Sequence, residues 1–262
     1  MSLPRLWHLP VSHYSEKVRW ALDYKRIPHD RRALISGPHI PMALMITRGR
    51  SCTLPVLELD GRTIADSTAI IAALEETYPD NPLYPADADE RRRALELEDW
   101  FDQRLGPEVR RFVFHALRDD QALFDELAAS QVPPALGRYP RLAGAYGRGF
   151  TTVRYQTASD QRADRALGGV TAALDRLESE LGDRQYLVGD RFTVADVTAA
   201  ALFYPLVLPP EGPLRMEPPP AVARIRASLE NRRGYRWVQE TFARHRRADP
   251  DGAEPQARLS PR

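Results

Sequence analysis

A single cysteine, Cys52, is all the thiol chemistry in 262 residues, which excludes an intrachain disulfide and points to a reducing, cytoplasmic setting. Long apolar runs are missing too: the longest, Val197 to Leu208, is too short to span a bilayer and contains Pro205. Arg5 and His8 interrupt the apolar residues of the first ten positions, so no signal-peptide core is read there and no membrane partner is expected. Charge of one sign is not in excess either. Thirty-seven Lys+Arg against 36 Asp+Glu leave a net charge of +1, which supplies no field to gather a nucleic-acid backbone. The six histidines show no ligand spacing such as H-x-x-x-H, and no metal is expected. Lysine is nearly absent, with only Lys17 and Lys25 among the 37 cationic side chains.

What remains is globular: 43% apolar and 28% charged residues, in a length that suits one large domain or two modest ones. Leu6-Trp7-His8-Leu9 reads as a strand, and Val18, Ala21, Leu22 and Lys25 at helical spacing follow it, the helix beginning near Ser15 and stopping at Pro28. His29 to Ile35 can form a second strand. Pro55 to Leu59 and Arg62 to Ala65 flank Asp60-Gly61, a strong hairpin signal. Asp66, Ser67 or Thr68 then caps a helix marked by Ile70, Ile71, Leu74 and Tyr78.

Pro79, Pro82 and Pro85 among acidic residues make a stiff connector, beyond which the periodicity is helical: Ala94 to Phe114 with a break near Gly106-Pro107, then Leu167, Val170, Leu174, Leu177 and Leu181. The expected domains are 1–80, a linker at 81–88, an all-helical 89–248 and a disordered tail at 249–262. Thr193-Val194-Ala195-Asp196 reads as a reciprocal cap for a helix buried on all sides. Residues 119 to 150 read as a long excursion between helices. Arg91 to Arg93, Arg110-Arg111 and Arg246-Arg247 read as solvated helix faces or intersubunit ion pairs.

Ser12-His13-Tyr14-Ser15-Glu16-Lys17-Val18-Arg19, Leu54-Pro55-Val56-Leu57, Asp66-Ser67-Thr68-Ala69-Ile70 and Phe192-Thr193-Val194-Ala195-Asp196 occur in this order. Together they resemble the four motifs of the glutathione S-transferase family. The departures are His13 where proline is common, Asp66 where Glu or Gln is common, and the 119–150 excursion. The resemblance implies an α/β thioredoxin-like N-terminal domain (βαβ-ββα) followed by an all-α helical-bundle domain, assembled as a homodimer. It also implies glutathione as co-substrate and a small electrophile as its partner in a transferase reaction of detoxification type.

Under that resemblance Ser12 is the thiol-activating donor, with Ser15, Tyr14 and His13 as alternatives; Ser15 reads as the better helix cap. Thr53, Leu54 and Pro55, the last expected in cis, would hold the cysteinyl part of glutathione, and Asp66 and Ser67 its γ-glutamyl end. Tyr14, Trp100, His115 and Tyr204 are candidates for the second-substrate pocket, although such aromatics are more often core. Cys52 has no Cys-x-x-Cys partner, which disfavours thiol-disulfide chemistry. Alternatives that use the same residues are a glutathione-dependent isomerase or dehalogenase, and a non-catalytic transferase-like binding protein.

Overall fold

A computed structural model describes residues 3–131 and 137–246, and the backbone of 257–258. Four strands form one sheet in the order β2-β1-β3-β4: β1 (Arg5–His8), β2 (Asp30–Ala33), β3 (Val56–Leu59) and β4 (Arg62–Ala65). β1 pairs in parallel with β2 and antiparallel with β3, and β3 with β4 closes as a hairpin. Its turn residues Asp60 and Gly61 both take positive φ, 47° and 75°, the conformation that a two-residue hairpin loop twisted with its strands demands. The parallel β1–β2 step needs a crossover, supplied by α1 (His13–Tyr24). α2 (His39–Ile46) precedes β3, and α3 (Ser67–Thr77) follows β4.

The remainder is helical: α4 (Ala88–Arg104), α5 (Gly106–Arg118), α6 (Gln121–Ser130), α7 (Pro140–Tyr155), α8 (Asp160–Leu181), α9 (Val194–Val207), α10 (Pro220–Leu229) and α11 (Arg233–His245). α9 is the central post. All its residues are buried, and it packs against α1, α4, α5 and α11, so a near-continuous apolar sequence is what its position requires. Its start is the reciprocal cap expected from the sequence: Asp196 Oδ2 accepts from Thr193 N and Oγ1, while Oδ1 accepts from Leu187 N.

α1 departs from its apparent one-stripe pattern. Held between α3 and α9, it buries Glu16, Lys17 and Arg19 as well as Val18, Ala21 and Leu22, and every one of those charges is ion-paired. The excursion is also more ordered than composition implied, because its described parts are α6 and α7, packed on each other as a helical hairpin. Asp120 caps α6 through Leu123 N, and Gly144 lets α7 approach so closely that a Cβ there would sit 2.9 Å from the Asp125 Cα. Pro133 and Pro134 lie outside the described residues, as does most of the tail expected to be disordered; Ala257–Arg258 pairs in parallel with Leu214–Arg215. Among the described residues no helix is long and apolar enough to cross a membrane.

Candidate active site

The turn between β1 and α1 is fixed by two serines with exchanged roles. Ser12, not Ser15, is the N-cap: its backbone is extended, and its Oγ accepts from Ser15 N at 3.3 Å. The hydroxyl of Ser15 is unavailable for capping because it is buried and accepts from Leu9 N at 3.2 Å, tying strand end to helix start. Helix α1 therefore begins at His13, two residues earlier than its apolar stripe suggests. A cap that works as an acceptor keeps its own hydroxyl proton to donate.

The neighbours are differently occupied. Tyr14 donates its hydroxyl to the Asp102 carbonyl at 2.7 Å, and burial followed by the Asp102 charge raises its pKa. His13 is buried with its ring 4.6 Å from that of Tyr14, and its Nε2 has no hydrogen-bond partner among the described residues. Burial, then the nearby Arg110 guanidinium, pushes its pKa down to about 3, so the imidazole is neutral.

The peptide bond between Leu54 and Pro55 is cis. Among the described residues no hydrogen bond engages the Leu54 N–H or C=O, and Thr53 beside it is exposed. Such a backbone edge can pair with an extended peptide. At the start of α3, Asp66 takes φ 82° and its Oδ1 accepts from Thr68 N and Ala69 N. Ser67, buried, is the first helical residue. Anions are stabilised at such a terminus by its N–H groups and partial positive charge.

Beneath that terminus lies a charge cluster not anticipated from the sequence. Lys17 Nζ is 2.6 Å from Asp102 Oδ2 and 2.8 Å from Glu98 Oε1, and donates to Thr68 Oγ1 at 3.1 Å. Burial works against the Lys17 charge, but Asp102 and Glu98 outweigh it and its pKa rises. Burial raises Glu98 despite Lys17. The scarcity of lysine was the available signal: in a chain that uses arginine almost everywhere, both lysines are buried and ion-paired, Lys25 with Glu75.

One cavity joins the Ser12 turn to Thr53 and Leu54, whereas Pro55, Asp66 and Ser67 are not among its lining residues. Ser12, His13, Tyr14, Thr53 and Leu54 line one wall, and α5 and α7 the other with Arg110, Phe114, Arg154 and Tyr155. Of the residues proposed for a second-substrate pocket, Tyr14 alone lines it. Trp100 faces a separate depression beside Arg104 and Glu108. His115 is turned to the Thr157 carbonyl, and Tyr204 is fully buried behind the turn, donating to the Val11 carbonyl at 2.6 Å. Two arginine readings also change: Arg110 belongs to the cavity wall rather than to a solvated face, and Arg246 is buried against Glu16 and Asp23.

Residues 6–82 match the N-terminal domain of glutathione S-transferase, and residues 160–227 its C-terminal domain. FtsZ-localized protein A of Caulobacter vibrioides is 28% identical over 207 residues, 77% of this chain and 76% of that protein. Maleylacetoacetate isomerase of Dictyostelium discoideum is 37% identical over 89 residues, 33% of this chain and 41% of that protein. A solved glutathione S-transferase from Methylobacterium radiotolerans, in complex with glutathione sulfonate, is 25% identical with a TM-score of 0.54, over 90% of this chain and 93% of that one. With both domain models matched in order along the chain and the sheet followed by the helical bundle, the chain belongs to the glutathione S-transferase family.

Proposed function

We propose that the chain binds glutathione with its thiol in this cavity and its γ-glutamyl end outside it at the α3 terminus, and activates the thiol for attack on a small electrophile. The observation that carries the reading is the state of Ser12: its oxygen is engaged as a helix cap by Ser15 N, which leaves its hydroxyl proton free to donate to a bound sulfur. The Leu54 main chain supports the cysteinyl backbone as a short added strand, and the α3 terminus with Ser67 takes the γ-glutamyl carboxylate, Asp66 facing its ammonium. A free thiol has a pKa of about 8.5, and lowering it by one or two units requires roughly 1.4 to 2.7 kcal/mol of preference for the thiolate. The Ser12 hydroxyl and the α1 terminus both favour the anion. In conjugation by substitution the thiol proton leaves to solvent, the sulfur lone pair forms the S–C bond, and the leaving group departs with its bonding pair. Ser12 stays a hydrogen-bond donor throughout and forms no covalent intermediate.

The domains of the reading are 1–80 for glutathione, a linker at 81–88 and 89–248 for the second substrate, in a homodimeric cytoplasmic protein. An isomerase or dehalogenase reaction would use the same thiolate, and the relative named maleylacetoacetate isomerase favours testing it. The relative named FtsZ-localized protein A motivates the non-catalytic alternative. Titration with glutathione at pH 7, followed by calorimetry and by absorbance near 240 nm, the roughly placed thiolate band, tests the core of the reading. Saturable binding with growth of that band is expected; absence of binding removes the proposal.

A further inference from the structure

The cavity wall carries two cations that have no counter-ion among the described residues, and it opens into an apolar chamber built by the α6–α7 hairpin. Arg110 and Arg154 both approach Tyr155, with guanidinium carbons 4.5 Å and 5.7 Å from its ring centroid. Among the described residues neither has a carboxylate partner or a hydrogen bond, in a molecule where Arg93, Arg148 and Arg232 all pair with acids. His13 Nε2, buried and unpartnered, belongs to the same wall and lies close enough to Arg110 for that charge to act on it. Of these groups His13 Nε2 is buried and lacks a partner, Arg110 is half-buried, and Arg154 is exposed at the rim; an acceptor arriving with the ligand would satisfy the first and pair with the second.

Past Tyr155 the wall turns apolar. Phe114, Leu127 and Tyr155 are common to the first cavity and to a second one enclosed by Phe124, Ala128 and Phe150. Phe114 stacks on Tyr155 at 5.4 Å, so aromatic rings bound the passage between cations and chamber. The excursion in which this chain departs from the family pattern supplies Phe124, Ala128 and Phe150 to the chamber, Val11 and Ile35 close it from the N-terminal region, and among the described residues no charged side chain lines it.

We propose that the second substrate is an amphipathic carboxylic acid: its carboxylate sits against Arg110, with Arg154 at the mouth and the His13 imidazole as a further donor, and its apolar body enters the α6–α7 chamber. The inference rests on the glutathione reading, since it places the electrophilic carbon beside the thiol at Ser12. Arg110 recognises the carboxylate through a planar fork that a lysine would lack, and Ala128 leaves the space that the body fills.

The test is calorimetric binding of four S-substituted glutathiones: S-methyl, S-carboxymethyl, S-octyl and S-(1-carboxyheptyl). They present neither feature, the carboxylate alone, the tail alone, and both. The wild-type protein is expected to bind the last most tightly, with the carboxylate and the tail each improving Kd about tenfold. Arg110→Met should reduce the carboxylate ratio (S-octyl against S-(1-carboxyheptyl)) to near one, and Ala128→Phe should do the same to the tail ratio (S-carboxymethyl against S-(1-carboxyheptyl)). Ratios taken within one protein are insensitive to a variant's folded fraction. Equal affinities across the four ligands, or ratios unmoved by both variants, overturn this inference while leaving the glutathione site standing. Failure of glutathione and all four ligands to bind overturns the glutathione reading itself.

Discussion

Replacing Ser12 by alanine separates the cap role that its oxygen holds from the donor role proposed for it. As a cap, Oγ accepts from Ser15 N at 3.3 Å, a long contact, so its loss belongs at the low end of the capping range, about 0.5 to 1 kcal/mol. For a chain of this size that is a fall in Tm of roughly 1 to 4 °C. As a donor to a thiolate, the hydroxyl makes a charge-assisted bond of about 1.5 to 3 kcal/mol, equivalent to about one to two pKa units on the bound thiol. Ser12→Ala should therefore raise the pKa of bound glutathione by that amount, cut the thiolate fraction and with it turnover at pH 7 about 3- to 25-fold, and barely move the melting temperature. Ser12→Thr retains acceptor and donor and should recover most of both effects. The assay is the pH titration of the thiolate band near 240 nm (roughly) in the saturated protein. An unchanged thiol pKa in Ser12→Ala refutes the reasoning, whatever happens to the rate, because no other consequence of the substitution isolates the donor.

Two further outcomes follow from buried groups. Asp196→Asn keeps one acceptor oxygen but turns an NH₂ group toward donors among Leu187 N, Thr193 N and Thr193 Oγ1, and should cost about 2 to 4 kcal/mol in urea unfolding; a loss below about 0.5 kcal/mol would show that the cap does not hold α9 in place. His13, held neutral to about pH 3 by burial and then by Arg110, has a folded pKa below its unfolded value of about 6.5, so the unfolded chain takes up the proton first as the solution is acidified. Stability present above pH 6.5 is thus lost as pH falls toward 3, by on the order of 3 kcal/mol at pH 4. His13→Gln should lack that component, and parallel stability curves for the two proteins between pH 4 and 7 would contradict the burial of a neutral imidazole.

What could be read from the sequence was what local chemistry decides. The Asp60-Gly61 turn and the Thr193–Asp196 cap each involve residues within three positions of one another, and the structure has both; for the α3 cap the sequence left Asp66, Ser67 and Thr68 open, and the structure selects Asp66. The choice between Ser12 and Ser15 as cap was not legible, because it turns on the Leu9 N–H, a group that every residue but proline carries. Trp100 and His115 were misplaced because an aromatic on a helix carries no one-dimensional record of what it will face: Trp100 meets a separate depression and His115 the Thr157 carbonyl, 42 positions away in the chain. Arg110 illustrates the converse. A cation on a helix face has the same one-dimensional signature whether it meets water or a cavity, and only the approach of α7, carrying Arg154 and Tyr155, distinguishes them.

The turn that carries Ser12 is braced from the far end of the chain through a run of buried, paired charges. Arg19 donates to the carbonyls of Leu9 and Pro10, at 3.4 and 2.9 Å, and is itself held by Glu16 at 2.8 Å. Glu16 accepts in turn from Arg246 at 2.6 Å, and Arg246 also reaches Asp23. Glu16 is fully buried, and its carboxyl is held below the usual range although burial opposes ionisation, because Arg246 and Arg19 both favour the charge. Replacing such a group of charges with apolar side chains of equal volume is often neutral or favourable for stability, so stability alone does not account for it. Apolar side chains could fill the volume but could not hold two carbonyls at one angle. The donor role proposed for the Ser12 hydroxyl would need its turn fixed to within a fraction of an ångström, and directional bonds from a buried guanidinium provide that where nonpolar packing does not.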